Sequence, residues 1–423
     1  MAAHDDASSI GFGIIGCAAM TSKFCRAVSF LSLAKVTVRA VGSRSLDKAK
    51  EFTKRNRLPP SVMVYGSYEQ VLEDDGVDAV YLPLPTRLHL EWAVLAAERK
   101  KHVLLEKPVA VDVAELDLIL EACRSNGVQF MDGTMWLHHP RTRKIEDIMS
   151  DPHHFGQLDL VHSTSTFAAN KEFFENNIRV KPELDVLGAL GDLGWYSIGA
   201  ILWAAGYKLP SSVKALPDVV RNSAGVILSC SATLYWEKPQ QEGGNKQPIT
   251  IATFHCSFLA SLSMDLEIIG SNGSVRVKDL AIPVDEDTAS IEFTPRAKFA
   301  ELHIGWDTKP EKVSVPTELP QEALMIREFT DIVRRAKISN GEDRAESKWP
   351  EISPKTQVVL DSVKRSIDNG CTTVHTLNVF RTLLPNVQIQ DSRWSPHAER
   401  NSAKNPGSAI AVGVAVPTHF LLD

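Results

Sequence analysis

The sequence predicts an α/β doubly wound parallel sheet followed by an α+β domain on a mostly antiparallel open sheet. Three observations carry that prediction. Between Ile10 and Met131, short apolar strands alternate with helices at the spacing of parallel strand–helix–strand units. Inside that run, the apolar stretch Val103-Leu104-Leu105 ends in Glu106-Lys107-Pro108, a buried strand that stops at a residue with no N–H for the ladder. From Met135 the alternation ceases, and half-buried strand patterns follow one another instead.

Composition sets the frame. At 423 residues the chain exceeds one average core, so two domains are expected. A net charge of -6 leaves no basic footprint for nucleic acid. No apolar run is long enough to span a bilayer, and Met1 to Asp6 lacks the regions of a signal peptide, so a cytoplasmic protein is expected. The cysteines at 17, 25, 123, 230, 256 and 371 are scattered without a C-x-x-C pair, which suits reduced thiols better than disulfides or zinc. His138-His139 and His153-His154 lack the accompanying ligands of a metal site, so no metal is expected.

The first strand pattern is Ile10 to Ile15. Gly11-x-Gly13-x-x-Gly16 imitates a dinucleotide fingerprint, but its first two glycines lie inside the strand, whereas the fingerprint opens at the strand-to-helix turn. The turn is better read from Gly16 through Ala18, Ala19 and Met20 to Thr21, with the helix running on through Phe24, Val28 and Leu31. Ala18 and Thr21 then stand where the second and third glycines belong. A turn without phosphate is the alternative.

The next strand, Val36 to Val41, ends in Gly42-Ser43-Arg44-Ser45. A NAD site usually carries an acid roughly 20 residues past the glycines, and none stands here. Ser43 and the Arg44 fork suit a phosphate, with Lys48 one helical turn beyond. NADP is therefore the expected cofactor, with NAD the less favoured one. Helix Ser67 to Asp74 follows, then strand Val77 to Leu82 with a turn at Pro83-Leu84-Pro85 and helix Leu90 to Arg99. The Lys107 strand, helix Val113 to Ser125 and strand Val128 to Met131 complete a Rossmann-type sheet over residues 8–134. Ligands of such sheets bind outside the carboxyl ends of the strands, where Glu106 and Lys107 stand.

In residues 135–370 the stretches Leu158 to Phe167, Val226 to Trp236, Ile249 to Phe258 and Met264 to Ile269 read as strands, and Asn272-Gly273 as a hairpin turn. Between the first two lies Leu187 to Tyr196; if it is helical, Asp192 and Tyr196 fall at i and i+4 on one face. A nearby cation such as Lys107 would favour the Tyr196 phenolate and make it a usable proton shuttle. Glu322 to Ala336 and Thr356 to Ile367 are amphipathic helices. Residues 371–423 form an atypical tail, expected to be poorly ordered, whose Ala409 to Val416 is too short to span a membrane.

With Gly16, the Pro85 to His89 turn and Glu106-Lys107-Pro108 in place, the chain resembles the glucose–fructose oxidoreductase / inositol dehydrogenase (Gfo/Idh/MocA) family from about Ser8 to Gly370. Within it, the resemblance is closest to the dihydrodiol dehydrogenase and D-xylose dehydrogenase branch and to uncharacterised plant oxidoreductases. The resemblance implies that Leu84, Pro85 and Glu106 flank the nicotinamide ribose and that Lys107 reaches the reacting oxygen. His89 matches a family histidine beside that turn, or only packs there. Asp192 and Tyr196 match the family's acid and proton-transfer residue, while Trp136 and His138 fall where substrate is bound. His138 departs from the arginine usual in that branch. The implied activity is NADP-dependent hydride transfer to or from a sugar or cyclic polyol, in a homodimer paired through the second sheet. The rival expectation is a nicotinamide-binding sensor or regulatory protein without turnover.

Overall fold

The computed structural model describes residues 9–237, 250–302, 304–338 and 347–376. Strands β1 (Ile10–Ile15), β2 (Val36–Gly42), β3 (Met63–Tyr65), β4 (Ala79–Leu82), β5 (His102–Leu105) and β6 (Phe130–Asp132) form one parallel sheet in the order β3-β2-β1-β4-β5-β6. Helices α1 (Ala19–Ser29), α2 (Leu46–Arg55), α3 (Glu69–Glu73), α4 (His89–Glu98) and α5 (Val113–Asn126) connect them. β1, β4 and β5 are buried along their whole length, which is why their sequences read as continuous apolar runs rather than alternations. Strand order reverses between β1 and β4, so the loops after β1, β4 and β5 open on one crevice.

The second half begins with α6 (Pro140–Met149), β7 (Leu158–Thr166), α7 (Lys171–Asn176), α8 (Gly188–Asp192) and α9 (Gly194–Ala204). Strands β8 (Ser212–Ala215), β9 (Val220–Arg221), β10 (Ile227–Trp236), β11 (Thr250–Ser257), β12 (Ser263–Gly270), β13 (Gly273–Val277), β14 (Thr288–Pro295) and β15 (Glu311–Pro316) follow. The chain then forms α10 (Gln321–Ile338), α11 (Lys348–Asp368) and β16 (Val374–His375). The sheet runs β15-β14-β13-β12-β7-β11-β10-β8-β16, with β9 on β10. Every neighbouring pair is antiparallel except β7 with β11, among the described residues. The expected hairpin joins β12 to β13 in the register Ile269↔Ser274, with Gly273 already inside β13 rather than in the turn.

Three expectations change. The stretch from Leu187 to Tyr196 is two helices, because the chain breaks step at Leu193 (φ -102°) between α8 and α9. The second half is not self-contained: α10 returns to the first, where Phe329 packs on Phe12 of β1 with ring centroids 6.0 Å apart. The fold also runs past Gly370. Val374 and His375 pair with Val213 and Ser212 of β8, so the first residues assigned to the tail complete the sheet edge. Ala409 to Val416 and the rest of that tail lie outside the described residues, as do Met1 to Asp6. All six cysteines are free thiols, and no described helix is long and apolar enough to cross a membrane.

Candidate active site

Lys107 leaves β5 and crosses to α8. Its Nζ donates to Asp192 Oδ1 at 2.8 Å and to the Asp192 carbonyl at 2.6 Å. The same Nζ lies 4.2 Å from the centroid of the Tyr196 ring at the start of α9. The break at Leu193 does not separate Asp192 from Tyr196, since both turn toward the one amine. Arg179, on a single turn at Ile178–Val180, places Nε 2.8 Å from the same Asp192 Oδ1. On the other flank, Glu106 Oε1 accepts the Tyr81 hydroxyl at 2.5 Å, and its Oε2 accepts the Lys107 N–H at 3.2 Å.

Burial sets the charges. It would by itself raise the Asp192 carboxyl, but Arg179 and Lys107 outweigh it and hold the group well below the usual carboxylate range. Burial alone would lower the Lys107 amine; Asp192 and Tyr196 reverse that and keep it above an ordinary lysine. Burial raises Tyr196 above the usual tyrosine value, and the opposing pull of Lys107 is too small to cancel it. The expected phenolate is therefore not favoured. Tyr196 is a neutral phenol whose hydroxyl contacts Met135 Sδ at 3.7 Å. Burial also raises Glu106.

The turn after β1 is built for close approach. Gly16 sits at φ +113°, and a Cβ there would come within 2.9 Å of Leu84 Cδ2. Thr21, which replaces a glycine of the fingerprint, is fully buried and donates its hydroxyl to the Gly16 carbonyl at 3.0 Å, locking the turn. Ala18 offers no side-chain cap to α1, so the first N–H groups, at Ala19 and Met20, remain for an anion. At the end of β2, Ser43 is buried while Arg44 and Lys48 are exposed. Arg44 reaches the Tyr68 hydroxyl, and Lys48 and Ser43 neighbour Cys17. An uncapped helix start and two exposed cations, Arg44 in the loop after β2 and Lys48 in α2, fit a phosphorylated dinucleotide. A cleft beside this strip is lined by Met20, Tyr81, Glu106 and Met135, with Met325 and Ile326 of α10 opposite.

Other expected residues have different surroundings. His89 is 1% exposed, with Nδ1 3.1 Å from the Val109 carbonyl and Nε2 2.9 Å from the Leu84 carbonyl. Burial lowers it to about 4. It ties the Pro85 turn to the chain after Pro108 and offers neither nitrogen to a ligand. His138 does not face the crevice. Its ring stacks on Trp349 at 5.1 Å and meets Glu328 Oε2 of α10 at 2.8 Å, because the returning helix captures it. Trp136 is 1% exposed and packs edge-on against Trp203 at 5.4 Å. Arg179, Tyr81 and Met135 were missed. Tyr81 lies inside the strand read from Val77 to Leu82 and Met135 where the alternation ceases, neither in a motif that marks it, and Arg179 lies in a loop with no periodicity to mark it.

The sequence signature described as "Oxidoreductase family, NAD-binding Rossmann fold" matches residues 10–134, and that of the GFO/IDH/MocA C-terminal domain matches residues 149–276. The chain is 30% identical over 370 residues to a dTDP-3,4-didehydro-2,6-dideoxy-alpha-D-glucose 3-reductase of Actinomadura kijaniata, covering 85% of this chain and 96% of that one. It is 27% identical over 274 residues to the trans-1,2-dihydrobenzene-1,2-diol dehydrogenase of Bos taurus, covering 64% and 75%. Among solved structures, the 3-ketoreductase KijD10 of Actinomadura kijaniata in complex with NADP and TDP-benzene superposes with a TM-score of 0.67. That match has 26% identity and covers 84% of this chain and 97% of that one.

Proposed function

Since the chain belongs to the Gfo/Idh/MocA oxidoreductase family, we propose that it transfers hydride between NADP and a hydroxyl or carbonyl carbon of a sugar or cyclic polyol. The observation that carries the reading is the meeting of Lys107 and Tyr196, from different halves of the chain, over one carboxylate. Relatives that reduce a keto sugar or act on a dihydrodiol support the substrate class, and NADP in KijD10 supports the cofactor. Gly16, Ala18, Ala19 and Met20 would hold the pyrophosphate, and Ser43, Arg44 and Lys48 the ribose phosphate. Leu84, Pro85 and Glu106 would border the nicotinamide, with His89 bracing that turn from behind.

The bound nicotinamide supplies or accepts the hydride. Lys107 polarises the substrate oxygen, and Asp192 fixes the Lys107 amine. Tyr196, held protonated, donates to the oxygen as a carbonyl is reduced. In this reading the reductive direction is the one the resting charges favour. A homodimer through the open face of the second sheet and a cytoplasmic location belong to the same proposal. The test is NADPH oxidation across a panel of aldoses, ketoses and diketones. Turnover of at least one, abolished in Lys107→Met, is expected; tight NADPH binding with no turnover on any member would mean a sensor instead.

A further inference from the structure

A second cleft, of about 220 Å³, opens between α1, the loop 278–287 after β13 and the start of α10. It holds none of Lys107, Asp192 and Tyr196, and only Lys23 and Glu322 also line the cleft beside Glu106. Its walls are apolar at Ala27, Ile282, Pro283 and Pro320. The charged groups that line it balance: the cations Lys23 and Arg26 are matched by the carboxylates Glu286 and Glu322, and Arg26 Nη2 already holds Glu286 Oε2 at 2.8 Å. Two lining side chains, His139 and Gln321, are more than nine-tenths buried, and each keeps one enclosed polar atom without a partner among the described residues. His139 Nδ1 accepts the Arg141 N–H at 3.0 Å, capping α6, and burial keeps the ring neutral, so its proton stands on Nε2. Gln321 Nε2 donates to the Ala281 carbonyl at 2.8 Å, which leaves Oε1 as the spare acceptor. The cleft thus has one unused donor and one unused acceptor. Leaving such groups buried and unpaired costs more than a formed hydrogen bond returns.

We infer that this cleft binds a small neutral ligand with a carboxamide or alcohol head on an aliphatic body, the head accepting from His139 Nε2 and donating to Gln321 Oε1. A carboxylate head would set a lone pair against Oε1, and an ammonium head would set a proton against the Nε2–H. Either charged head therefore satisfies one atom and repels the other. The balanced charges around the cleft add no pull toward either sign. The aliphatic body suits the apolar walls, and the volume suits a molecule smaller than most drug-sized ligands. With the reacting pair elsewhere, this ligand is an effector and not a substrate, and its site stands independently of the hydride reading. Its walls come from both halves of the chain, so a bound ligand would bridge them.

The matched probes are cyclohexanecarboxamide, cyclohexylmethanol, cyclohexanecarboxylate and cyclohexylmethylamine, which share one ring and differ in the head. Calorimetry uses the full chain saturated with NADP at about pH 7.5, where the last two are charged. At least one neutral probe is expected to bind with a Kd of about 1 mM or tighter, and both charged ones at least about tenfold more weakly. The tighter of the two neutral probes identifies the head. Gln321→Met, which keeps the side-chain volume, should weaken the neutral probes at least about tenfold. Gln321→Glu, an acceptor only, should turn the preference to the amine. Unchanged NADP affinity reports that both variants fold. A crystal of the unmodified chain soaked with the tighter neutral probe should show its head between His139 and Gln321, and it decides the matter if a variant does not fold. Four probes that bind alike, none that binds, a neutral preference that survives in both variants, or a soaked probe seated elsewhere overturns the inference.

Discussion

A phenol buried against two cations and two carboxylates could titrate in either direction, and here burial wins. The Tyr196 pKa is raised, so its acid form is complete below that value and is lost only as pH rises through it. Lys107, also raised, stays charged over the same range. NADPH-dependent reduction should therefore hold its rate on the alkaline side up to about pH 10, and an alkaline limb near neutrality would show the phenol is not the donor. Tyr196→Phe should cut turnover by about 10²–10⁴ with NADPH affinity nearly unchanged. Lys107→Met should do at least as much, and the double variant should be little worse than the worse single one. Fully multiplicative losses would mean that the residues act apart. Lys107, Asp192 and Tyr196 were legible as candidates because each sits in a recognisable motif or on an expected element, and the structure brings the three together. Arg179 was not, since a single turn in an irregular loop leaves no spacing to read. His138 was misplaced because its position after β6 fixes where its backbone lies but not which way its ring turns; Glu328, 190 residues on, decides that.

At the scale of elements, the end of β2 carries cofactor choice. Arg44 follows β2 directly and Lys48 stands in the first turns of α2, both exposed, and Ser43 and Arg44 occupy the strand end where an acid for ribose hydroxyls usually stands. One charge-assisted contact contributes about 1.5–3 kcal/mol, so NADPH should bind roughly tenfold to hundredfold better than NADH. Calorimetry on Arg44→Ala should show that preference lost, with NADH affinity little changed. The parallel strands were readable because burial on both faces leaves continuous apolar runs, whereas β16 was not. Two residues cannot show a period, and their pairing with β8 depends on where α11 delivers them. Thr376 N–H donates to the Ser211 carbonyl at 3.3 Å, and Val374 is buried. A chain ending at Gly370 should be less stable than one ending at Thr376 by about 1–2 kcal/mol, a few degrees in Tm. Identical melting would make β16 ornamental.

The whole molecule responds to acid through histidines held neutral inside it. Burial lowers His89, His102 and His139 each to about 4, and the Nδ1 atoms of His102 and His139 accept backbone N–H groups that a proton would displace. The unfolded chain binds these protons from about pH 6.5 downward, whereas the folded chain resists until about pH 4. Their contribution is thus complete above about pH 6.5 and is lost as pH falls through about 4; the urea midpoint should drop across that window. Asparagine at His102 should remove part of the drop.

The division into two sequence halves hides a single mechanical unit. The apolar core runs without interruption from β1 through α9 to α11. Phe329 of α10 is fully buried against Phe12, which also meets Phe24 at 5.3 Å, so the far end of the chain fills the face of the first sheet. Sequence patterning could not announce this, because an amphipathic helix shows that it has an apolar face but not which sheet covers it. Removing the ring leaves a cavity between the halves, and Phe→Ala at such a site costs about 3–5 kcal/mol. Phe329→Ala should therefore lower the stability of both halves at once. Tyrosine and tryptophan fluorescence, far-UV dichroism and loss of NADPH binding should move together in one transition at lower urea. Residues 9–134 alone, with the Phe12 face uncovered, should fail to bind NADPH. Two separated transitions in the variant, or a first half that folds and binds by itself, would show that α10 merely leans on a domain already complete.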